Sequence, residues 1–287
     1  MKVKKQEHLF WSGDALVRYQ EVYCKSILNK SGIPGVDFAL NPYTGCEHSC
    51  VYCYAVFMKR FTNHPEKWGG FVDIKINAPE VLHRQLKSLK SRVHISIGTV
   101  CDAYQPIEER FKITRRCLEV LKYYDHSLSI LTKSPLVLRD IDLLLKIKEI
   151  EIGFTTVTLN PKIKELFEPN SPPVKERLSA LKNLSENGIP TWVFVAPVIP
   201  FLTDNESDIK ELIESAQEAG AKNITFDSLN PYPKVWNRVM EIIRREYPEL
   251  VKKYQYYFHN KPKYEVELKE RISKISPGAR IEVNCVF

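Results

Sequence analysis

Apolar segments that suit β-strands alternate with amphipathic segments that suit α-helices between about residues 78 and 228. This alternation predicts parallel strands joined by crossover helices, because one parallel strand reaches the next only through a long connection. The predicted strands are short apolar runs at residues 94–98, 128–132, 150–158, 191–197 and 223–227. The predicted helices are amphipathic segments at residues 107–124, 136–146, 174–187 and 208–218.

Two further strand-like segments, near residues 36–41 and 70–76, bring the count to six or seven strands. That number is enough for a partial or full α/β barrel, in which functional residues lie at the C-terminal ends of the strands. The alternation stops after residue 228. We therefore predict an N-terminal extension over residues 1–32, a barrel over residues 33–228 and an appended segment over residues 229–287.

Composition excludes several classes of protein. The chain has 287 residues, of which 44% are hydrophobic and 27% charged, so we expect a folded globular protein. It contains no run of about 20 apolar residues, and its polar N-terminus does not resemble a signal peptide, so we expect a cytoplasmic protein with no membrane partner. Seven cysteines, an odd number, argue against a complete disulfide framework and favour metal or thiolate chemistry.

Three of these cysteines, Cys46, Cys50 and Cys53, lie within eight residues directly after the first strand of the predicted barrel. Three thiolates bind three irons of a [4Fe-4S] cluster and leave the fourth iron open to a substrate or cofactor. The alternative is a zinc ion held by the three cysteines and by His48 or a distant side chain. Zinc sites commonly use two separated cysteine pairs, and a second pair does not occur in this sequence, which favours the cluster.

The spacing C-x3-C-x-aromatic-C at this position resembles the radical S-adenosylmethionine (SAM) superfamily. Further motifs over residues 33–228 resemble the branch that contains spore photoproduct lyase and the DNA repair photolyase-like proteins. These motifs are Asn41-Pro-Tyr-Thr-Gly-Cys46, Ile97-Gly-Thr99, Asp102-Ala-Tyr-Gln-Pro106, Leu131-Thr-Lys-Ser134, Leu166-Phe-Glu-Pro169 and Ala196-Pro-Val-Ile-Pro200.

The resemblance implies a partial (β/α)6 TIM-like barrel with one [4Fe-4S] cluster. It also implies that SAM binds through its amine and carboxylate at the open iron, and that a donor such as ferredoxin or flavodoxin supplies an electron. SAM is then cleaved to methionine and a 5′-deoxyadenosyl radical, which takes a hydrogen atom from the substrate. The resemblance identifies neither the substrate nor whether the reaction is lyase-like or a transfer.

The resemblance also implies roles for five residues at the SAM site. Tyr52 matches a position near adenine, and Ala196 an adenine-contacting backbone position. Lys133 and Arg177 match residues that pair with the SAM carboxylate, and Thr155 matches a small hydroxyl residue that contacts the ribose. An ordinary alternative stays open for each residue. Tyr52 would pack the loop, Ala196 would be a small core residue, and Thr155 a β-branched strand residue. Lys133 would be a solvated lysine and Arg177 an exposed helix arginine.

The candidate site also includes three residues that follow the predicted strand at 94–98, namely Thr99, Cys101 and Asp102. Asp102 matches an aspartate of the family, and we place it with Thr99 among the cofactor-binding residues. The cysteine from which spore photoproduct lyase donates a hydrogen atom aligns with Thr99, whereas Cys101 lies two residues further, about 7 Å along a strand. We predict that Cys101 is a hydrogen donor or ligand in a different reaction; the alternative is a buried cysteine acting as a small hydrophobic residue.

Residues 229–287 carry 12 basic and seven acidic side chains and nine aromatic ones. Cations bind phosphates and aromatic rings stack on unpaired bases, so this composition favours a nucleic acid partner. The alternative is that the charges lie on solvated helix faces and the aromatic residues pack against the barrel. The substrate we expect is a nucleic acid lesion or a modified nucleotide. A peptide or metabolite substrate, and a non-catalytic iron-sulfur or zinc protein that binds nucleic acid, stay as alternatives.

Overall fold

The computed structural model describes residues 7–12 and 15–287, with side chains from residue 17 onward. Its strands are β1 (Glu7–Ser12), β2 (Ala15–Val22), β3 (Leu28–Lys30), β4 (Phe38–Leu40), β5 (Tyr43–Thr44), β6 (Phe71–Lys75), β7 (His94–Ile97), β8 (Ser127–Thr132), β9 (Glu149–Thr155), β10 (Thr191–Val198), β11 (Asn223–Ser228) and β12 (Glu282–Cys285).

The α-helices lie mainly between the strands of the second half of the chain. They are α1 (Ala78–Ser88), α2 (Ile107–Phe111), α3 (Ile113–Leu121), α4 (Ile141–Leu144), α5 (Pro161–Phe167), α6 (Val174–Glu186), α7 (Glu206–Glu218), α8 (Pro233–Glu246) and α9 (Val251–Ile275). Four 3₁₀ helices cover Tyr54–Phe61, Pro135–Asp140, Pro248–Leu250 and Ser276–Gly278. Within the described residues, none of these helices has the length and apolar content that a bilayer span requires.

The larger sheet has eight strands in the order β12-β11-β10-β9-β8-β7-β4-β3. All neighbouring pairs are parallel except β3 and β4. The sheet has two edge strands and is therefore an open, partial barrel. This architecture confirms the predicted α/β class and brings the C-terminal ends of β4 and β7 to β11 to one edge.

One face of the central strands of this sheet is fully buried in the core. Ile95, Ile130, Ile152 and Val193 are each at most 1% exposed. The residues between the buried positions of β7, β10 and β11 are mostly half-buried, so burial alternates along these strands. Each fully buried side chain on the packed face contributes roughly 1.5–3 kcal/mol. The core therefore fixes the strand ends, which is what a site at that edge requires.

Three features of the fold differ from the sequence-based expectations. The segment near residues 70–76 is strand β6, but it pairs with β2 and β5 in a separate sheet, so counting it toward the barrel was wrong. The edge strand β12 was not predicted; it lies in residues 229–287 and pairs with β11. The three-part division of the chain stays a prediction.

The third difference is the helix predicted at residues 107–124, which is interrupted at Lys112, where φ is +53°. The buried carboxylate of Glu108 accepts hydrogen bonds from the backbone N–H groups of Thr114 and Arg115, at the start of α3. A helix start leaves its first N–H groups without intrahelical partners, so this carboxylate stabilises a second helix beginning after Lys112.

Gly45 provides a test of how the fold places the cysteines. Its φ is +93°, and a Cβ at this position would overlap the backbone oxygen of Phe71 in β6. We expect Gly45→Ala to destabilise the protein by more than the roughly 1–2 kcal/mol of a left-handed alanine, because the overlapping atom is backbone. Urea unfolding measures the loss. Gly32→Ala is the control, since nothing lies within 4 Å of its added Cβ. Equal stability of the two variants would contradict the packing described.

Candidate functional site

A single cavity at the C-terminal edge of the barrel strands brings most of the predicted site residues together. Ten of them line it: Cys46, Cys50, Tyr52, Cys53, Thr99, Cys101, Asp102, Lys133, Thr155 and Ala196. They come from the cysteine loop after β5 and from the segments at the ends of β7, β8, β9 and β10. Sequence positions up to 150 residues apart therefore share one site.

The backbone of the cysteine loop is held by Glu47, whose side chain is 1% exposed. The Tyr19 hydroxyl (2.7 Å) and the Ile107 N–H (2.8 Å) donate to its carboxylate. Its own N–H donates to the Gln105 side chain (3.0 Å), and Asn170 donates to its carbonyl (3.1 Å). Three separate parts of the chain thus fix the loop through Glu47, so the thiols are not needed to hold it.

The environment of the three thiols suits a metal cluster. Burial raises the pKa of Cys50 to about 12 and also raises the pKa of Cys46 and Cys53, so the thiols stay protonated without a compensating positive charge. Iron ions supply that charge, and thiolate binding to them releases the protons. The thiols are therefore ligands held ready for a cation.

The same thiols fit a cluster better than a single ion. Among the described residues, no three His, Cys, Asp or Glu side chains converge on one point that a metal ion would occupy. Ligands of one zinc ion have sulfur atoms only about 4 Å apart, because each lies about 2.3 Å from the metal. The cysteines of a [4Fe-4S] cluster bind different irons and lie further apart. His48 also faces another group, since its Nδ1 lies 3.2 Å from Asp102 Oδ2.

A buried ion network lies behind Tyr52. Glu168 is fully buried and accepts hydrogen bonds from the Tyr52 hydroxyl and from Arg177 Nη2, with Lys133 Nζ 3.9 Å away. Burial alone would raise the pKa of Glu168, but the nearby charges of Arg177 and Lys133 outweigh burial and lower that pKa to about 2. The carboxylate is therefore ionised at neutral pH. Arg177 also donates to the Thr155 carbonyl (2.9 Å).

Arg177 is the one predicted site residue that lies outside the cavity lining. Its guanidinium is fully buried and donates to Glu168, Ser171, Pro172 and Thr155. In this structure it faces these protein acceptors rather than the cavity, so it acts on the site through Glu168. The sequence places Arg177 in a helix after Glu168-Pro169, but it does not show which acceptors the guanidinium will hydrogen-bond.

Lys133 is the only lysine or arginine among the described residues that line the cavity. Its Nζ lies 5.7 Å from the centre of the Tyr52 ring. Burial lowers the pKa of Lys133, but Cys50 and Glu168 raise it more, so the ammonium stays charged. A charged ammonium in a largely apolar cavity is suited to hold an anionic group such as a carboxylate.

Asp102 lines the cavity but its carboxylate already has several partners. The Thr132 hydroxyl (2.6 Å) and the backbone N–H groups of Tyr104 (2.9 Å) and Lys133 (2.7 Å) donate to it. Burial raises its pKa, whereas His48, Thr132 and the Lys133 N–H lower it more, to well below its ordinary value. Asp102 therefore joins the ends of β7 and β8 and orients Lys133; contact with a cofactor stays a prediction.

Cys101 and Thr99 surround the side chain of Asn41. Asn41 donates to Thr99 Oγ1 (2.9 Å), and the Cys101 thiol lies 3.7 Å from Asn41 Oδ1 as a weak donor. Burial raises the pKa of Cys101 to about 12, although Lys75 opposes the rise. The sulfur thus keeps its hydrogen at neutral pH, as a hydrogen-atom donor must.

Several cavity residues were not predicted from the sequence, among them Tyr54, Trp68, Asp227 and Asn230. Tyr54 directly follows the last cysteine of the motif, a position that could have drawn attention to it. Trp68 lies in an irregular loop. Asp227 is the final residue of the last predicted strand, and Asn230 follows that strand. Nothing in the local pattern distinguishes these residues from loop residues that face solvent.

Comparisons with known proteins agree on one family. The sequence model of the Radical SAM superfamily matches residues 40–216. An uncharacterised protein of Methanocaldococcus jannaschii is 43% identical over 193 residues, which are 67% of this chain and 71% of that protein. An uncharacterised protein of Mycobacterium bovis is 28% identical over 279 residues, covering 92% of this chain and 82% of its own.

Solved structures show the same fold at low identity. Spore photoproduct lyase complexed with dinucleoside spore photoproduct matches with a TM-score of 0.68 and 14% identity, over 92% of this chain and 80% of that one. SuiB of Streptococcus suis bound to S-adenosylmethionine matches with a TM-score of 0.54 and 13% identity, over 87% and 50%. SuiB bound to the precursor peptide SuiA also has a TM-score of 0.54, with 15% identity over 87% and 48%.

The charge on Glu168 gives a prediction for acid stability. Since its pKa is lowered in the folded state, its stabilising contribution is complete above its ordinary pKa of 4.5 and is lost as the pH falls toward about 2. Glu168→Gln leaves the Arg177 charge buried without its anion. We expect it to lower the free energy of unfolding by about 3 kcal/mol at pH 7 and to flatten the decrease between pH 5 and 2.

Urea unfolding of wild type and variant at each pH measures both effects. Glu186→Gln is the matched control, because Glu186 is exposed and pairs with Lys182 on the surface of α6. We expect that change to stay within about 0.5 kcal/mol of wild type. A Glu168→Gln protein as stable as wild type at pH 7 would contradict the buried ion network.

Proposed function

The chain belongs to the radical SAM superfamily, and from that premise we propose that this enzyme abstracts hydrogen from a nucleotide within a nucleic acid, either a lesion or a modified nucleotide. Members of the family use a [4Fe-4S] cluster and SAM. When bound, these groups supply one-electron cleavage of SAM to methionine and a 5′-deoxyadenosyl radical. The protein's part is to bind, orient and enclose them.

The residues of the cavity divide this work. Cys46, Cys50 and Cys53 bind the cluster as thiolates. Lys133, oriented by Asp102, holds the carboxylate of SAM with its ammonium. The same cavity is lined by four uncharged residues that would contact the adenosine part of SAM, namely Tyr52, Thr99, Thr155 and Ala196. Cys101, a protonated thiol beside these residues, donates a hydrogen atom.

The observation that carries the nucleotide proposal is an aromatic ridge on the 3₁₀ helix that follows Cys53. It consists of Tyr54, Phe57, Arg60 and Phe61. The rings of Tyr54 and Phe57 stack at 6.2 Å and 24°, and the Arg60 guanidinium lies 4.5 Å over Phe61. Tyr54 is 48% exposed and Phe61 66% exposed, and Tyr54 lines the cavity. Exposed rings beside a cation stack on unpaired bases.

Three aromatic residues of the C-terminal segment pack against the barrel, the alternative that the sequence left open, whereas Tyr232, Tyr256 and Phe258 are exposed. Tyr254, Tyr257 and Tyr264 are buried, and their hydroxyls donate to Pro200 O, Leu229 O and the Asp204 carboxylate. These rings pack the segment on the barrel. The nucleotide surface we propose is the aromatic ridge, with Asp227 and Asn230 across the cavity offering polar groups to a base that has left the stack.

The likeness to spore photoproduct lyase, solved with a dinucleoside lesion, supports a nucleotide substrate over the alternatives. SuiB, solved with a precursor peptide, has the lower structural similarity. Anaerobic protein with cluster and SAM should form 5′-deoxyadenosine faster with damaged or modified single-stranded oligonucleotides than with peptides. Stimulation by peptides alone would favour the peptide alternative.

The aromatic ridge predicts binding of single-stranded DNA or RNA that depends on Phe61. Phe61→Ala should weaken binding by about 1–3 kcal/mol through loss of one stacked base, as measured by fluorescence anisotropy. Affinity should fall about twentyfold from 50 to 200 mM salt if about three phosphates are neutralised.

Tyr123→Ala is the matched control for this binding. Tyr123 is 78% exposed and lies beneath Lys122, but it follows α3 near the start of β8, on the edge away from the cavity. We expect Tyr123→Ala to bind as wild type does. Salt-independent binding, or equal loss in the two variants, would contradict the ridge as the nucleic acid surface.

The position of the Cys101 thiol predicts that it supplies the hydrogen atom of 5′-deoxyadenosine when no substrate is present. In D2O its thiol exchanges to S–D, and 5′-deoxyadenosine formed by the wild-type protein should acquire deuterium from it, since S–H bonds are weak. Cys101→Ala should lower this incorporation several-fold by mass spectrometry. Cys117→Ala is the control, because that thiol is buried in α3 outside the cavity lining. Unchanged labelling in Cys101→Ala would remove Cys101 as a donor.

A further inference from the structure

Two N–H groups beside the cysteine loop lack acceptors. Trp68 Nε1 and Arg238 Nη1 are buried and have no hydrogen-bond partner among the described residues. An N–H left in this condition costs about 1–3 kcal/mol, and more when the group is charged. Two such groups in one region indicate an acceptor other than the nitrogen and oxygen atoms of the protein.

Both residues are attached to Ser49, the residue before Cys50. The Ser49 hydroxyl donates to the Trp68 carbonyl (3.2 Å), and Arg238 Nη2 donates to the Ser49 carbonyl (3.2 Å). The Trp68 side chain is 6% exposed and lines the same cavity as Cys53. Their free N–H groups therefore lie beside the cysteine loop, and Arg238 reaches it from α8 in the C-terminal segment.

Sulfur atoms of the cysteine loop are acceptors close to both groups. The indole N–H of Trp68 is placed to bond the Cys53 sulfur, and the Arg238 guanidinium acts electrostatically on Cys53 and Cys50. Thiolates that carry iron are negatively charged acceptors. Hydrogen bonds to cluster sulfur atoms, together with local charge, are among the factors that set reduction potentials.

We propose that Trp68 and Arg238 donate N–H···S hydrogen bonds to the cysteine or inorganic sulfur atoms of the cluster and raise its reduction potential. They are positioning residues for the electron-transfer step, which makes α8 part of the redox site. A positive charge and two donors favour the reduced cluster, which is more negative than the oxidised one. The proposal rests on the proposed function only in taking the three cysteines as cluster ligands.

The experiment is an EPR-monitored redox titration of the full chain with its reconstituted cluster, without SAM. Arg238→Met should shift the reduction equilibrium at least tenfold toward the oxidised cluster, which is about 59 mV for one electron. Trp68→Phe, which keeps the ring and removes the N–H, should shift it in the same direction. In addition, the coupling of an exchangeable proton to the reduced cluster, seen by comparing H2O and D2O samples, should be lost in Trp68→Phe.

Three further variants separate this role from a structural one. Arg238→Lys keeps the charge and should retain part of the effect. Arg244→Met removes an exposed charge from the same helix, and Trp192→Phe removes another buried indole N–H that lacks a partner; both should titrate as wild type. A merely structural role would lower thermal stability in Arg238→Met without moving the potential.

The proposal is overturned if Arg238→Met and Trp68→Phe have the wild-type potential, or if Arg244→Met shifts it equally. Failure of the proposed function has a different signature. It would appear as wild-type protein with a loaded cluster that produces no 5′-deoxyadenosine in any condition, and the comparison of potentials would still decide the role of Trp68 and Arg238.

Discussion

The structure depends on keeping a short loop rigid without using its three thiols for that purpose. Glu47 achieves this by bonding the loop to Tyr19, Gln105, Ile107 and Asn170, which lie in three distant parts of the sequence. A buried carboxylate is costly unless its hydrogen bonds are complete, so these contacts act together. The loop can thus present thiolates without using them for its own stability, and the barrel strands, the helix starts and the C-terminal segment are arranged around it.

Charge compensation around the cavity leaves one cation available to a ligand. Glu168 is neutralised from behind by Arg177, while Asp102 is satisfied by Thr132 and by backbone N–H groups. Lys133 touches both networks, through its backbone N–H and, at 3.9 Å, its ammonium. Because the two carboxylates already have other donors, the ammonium can turn to an anionic group in the cavity without leaving either carboxylate unpaired.

The sequence alone predicted what depends on local pattern. The alternation of apolar and amphipathic segments located the barrel strands, and cysteine spacing with family resemblance located ten of the residues that line the cavity. What failed depends on distant partners. Strand β6 joined β2 rather than the barrel, and Arg177 turned toward Glu168. Trp68 and Arg238 both hydrogen-bond Ser49, which lies about 20 residues from Trp68 and about 190 residues from Arg238 in sequence. Contacts between residues so distant in sequence produce no repeating pattern of residue types, so they are found only when the packing is known.

The most direct test of the account is formation of 5′-deoxyadenosine by anaerobically reconstituted, dithionite-reduced protein given SAM. The account predicts that the wild-type protein binds iron and forms the product. Cys46→Ala, Cys50→Ala and Cys53→Ala should form none, whereas Cys117→Ala should match wild type. Protein that holds zinc instead of iron, or product that forms equally without the three cysteines, would contradict the assignment of this cavity to radical SAM chemistry.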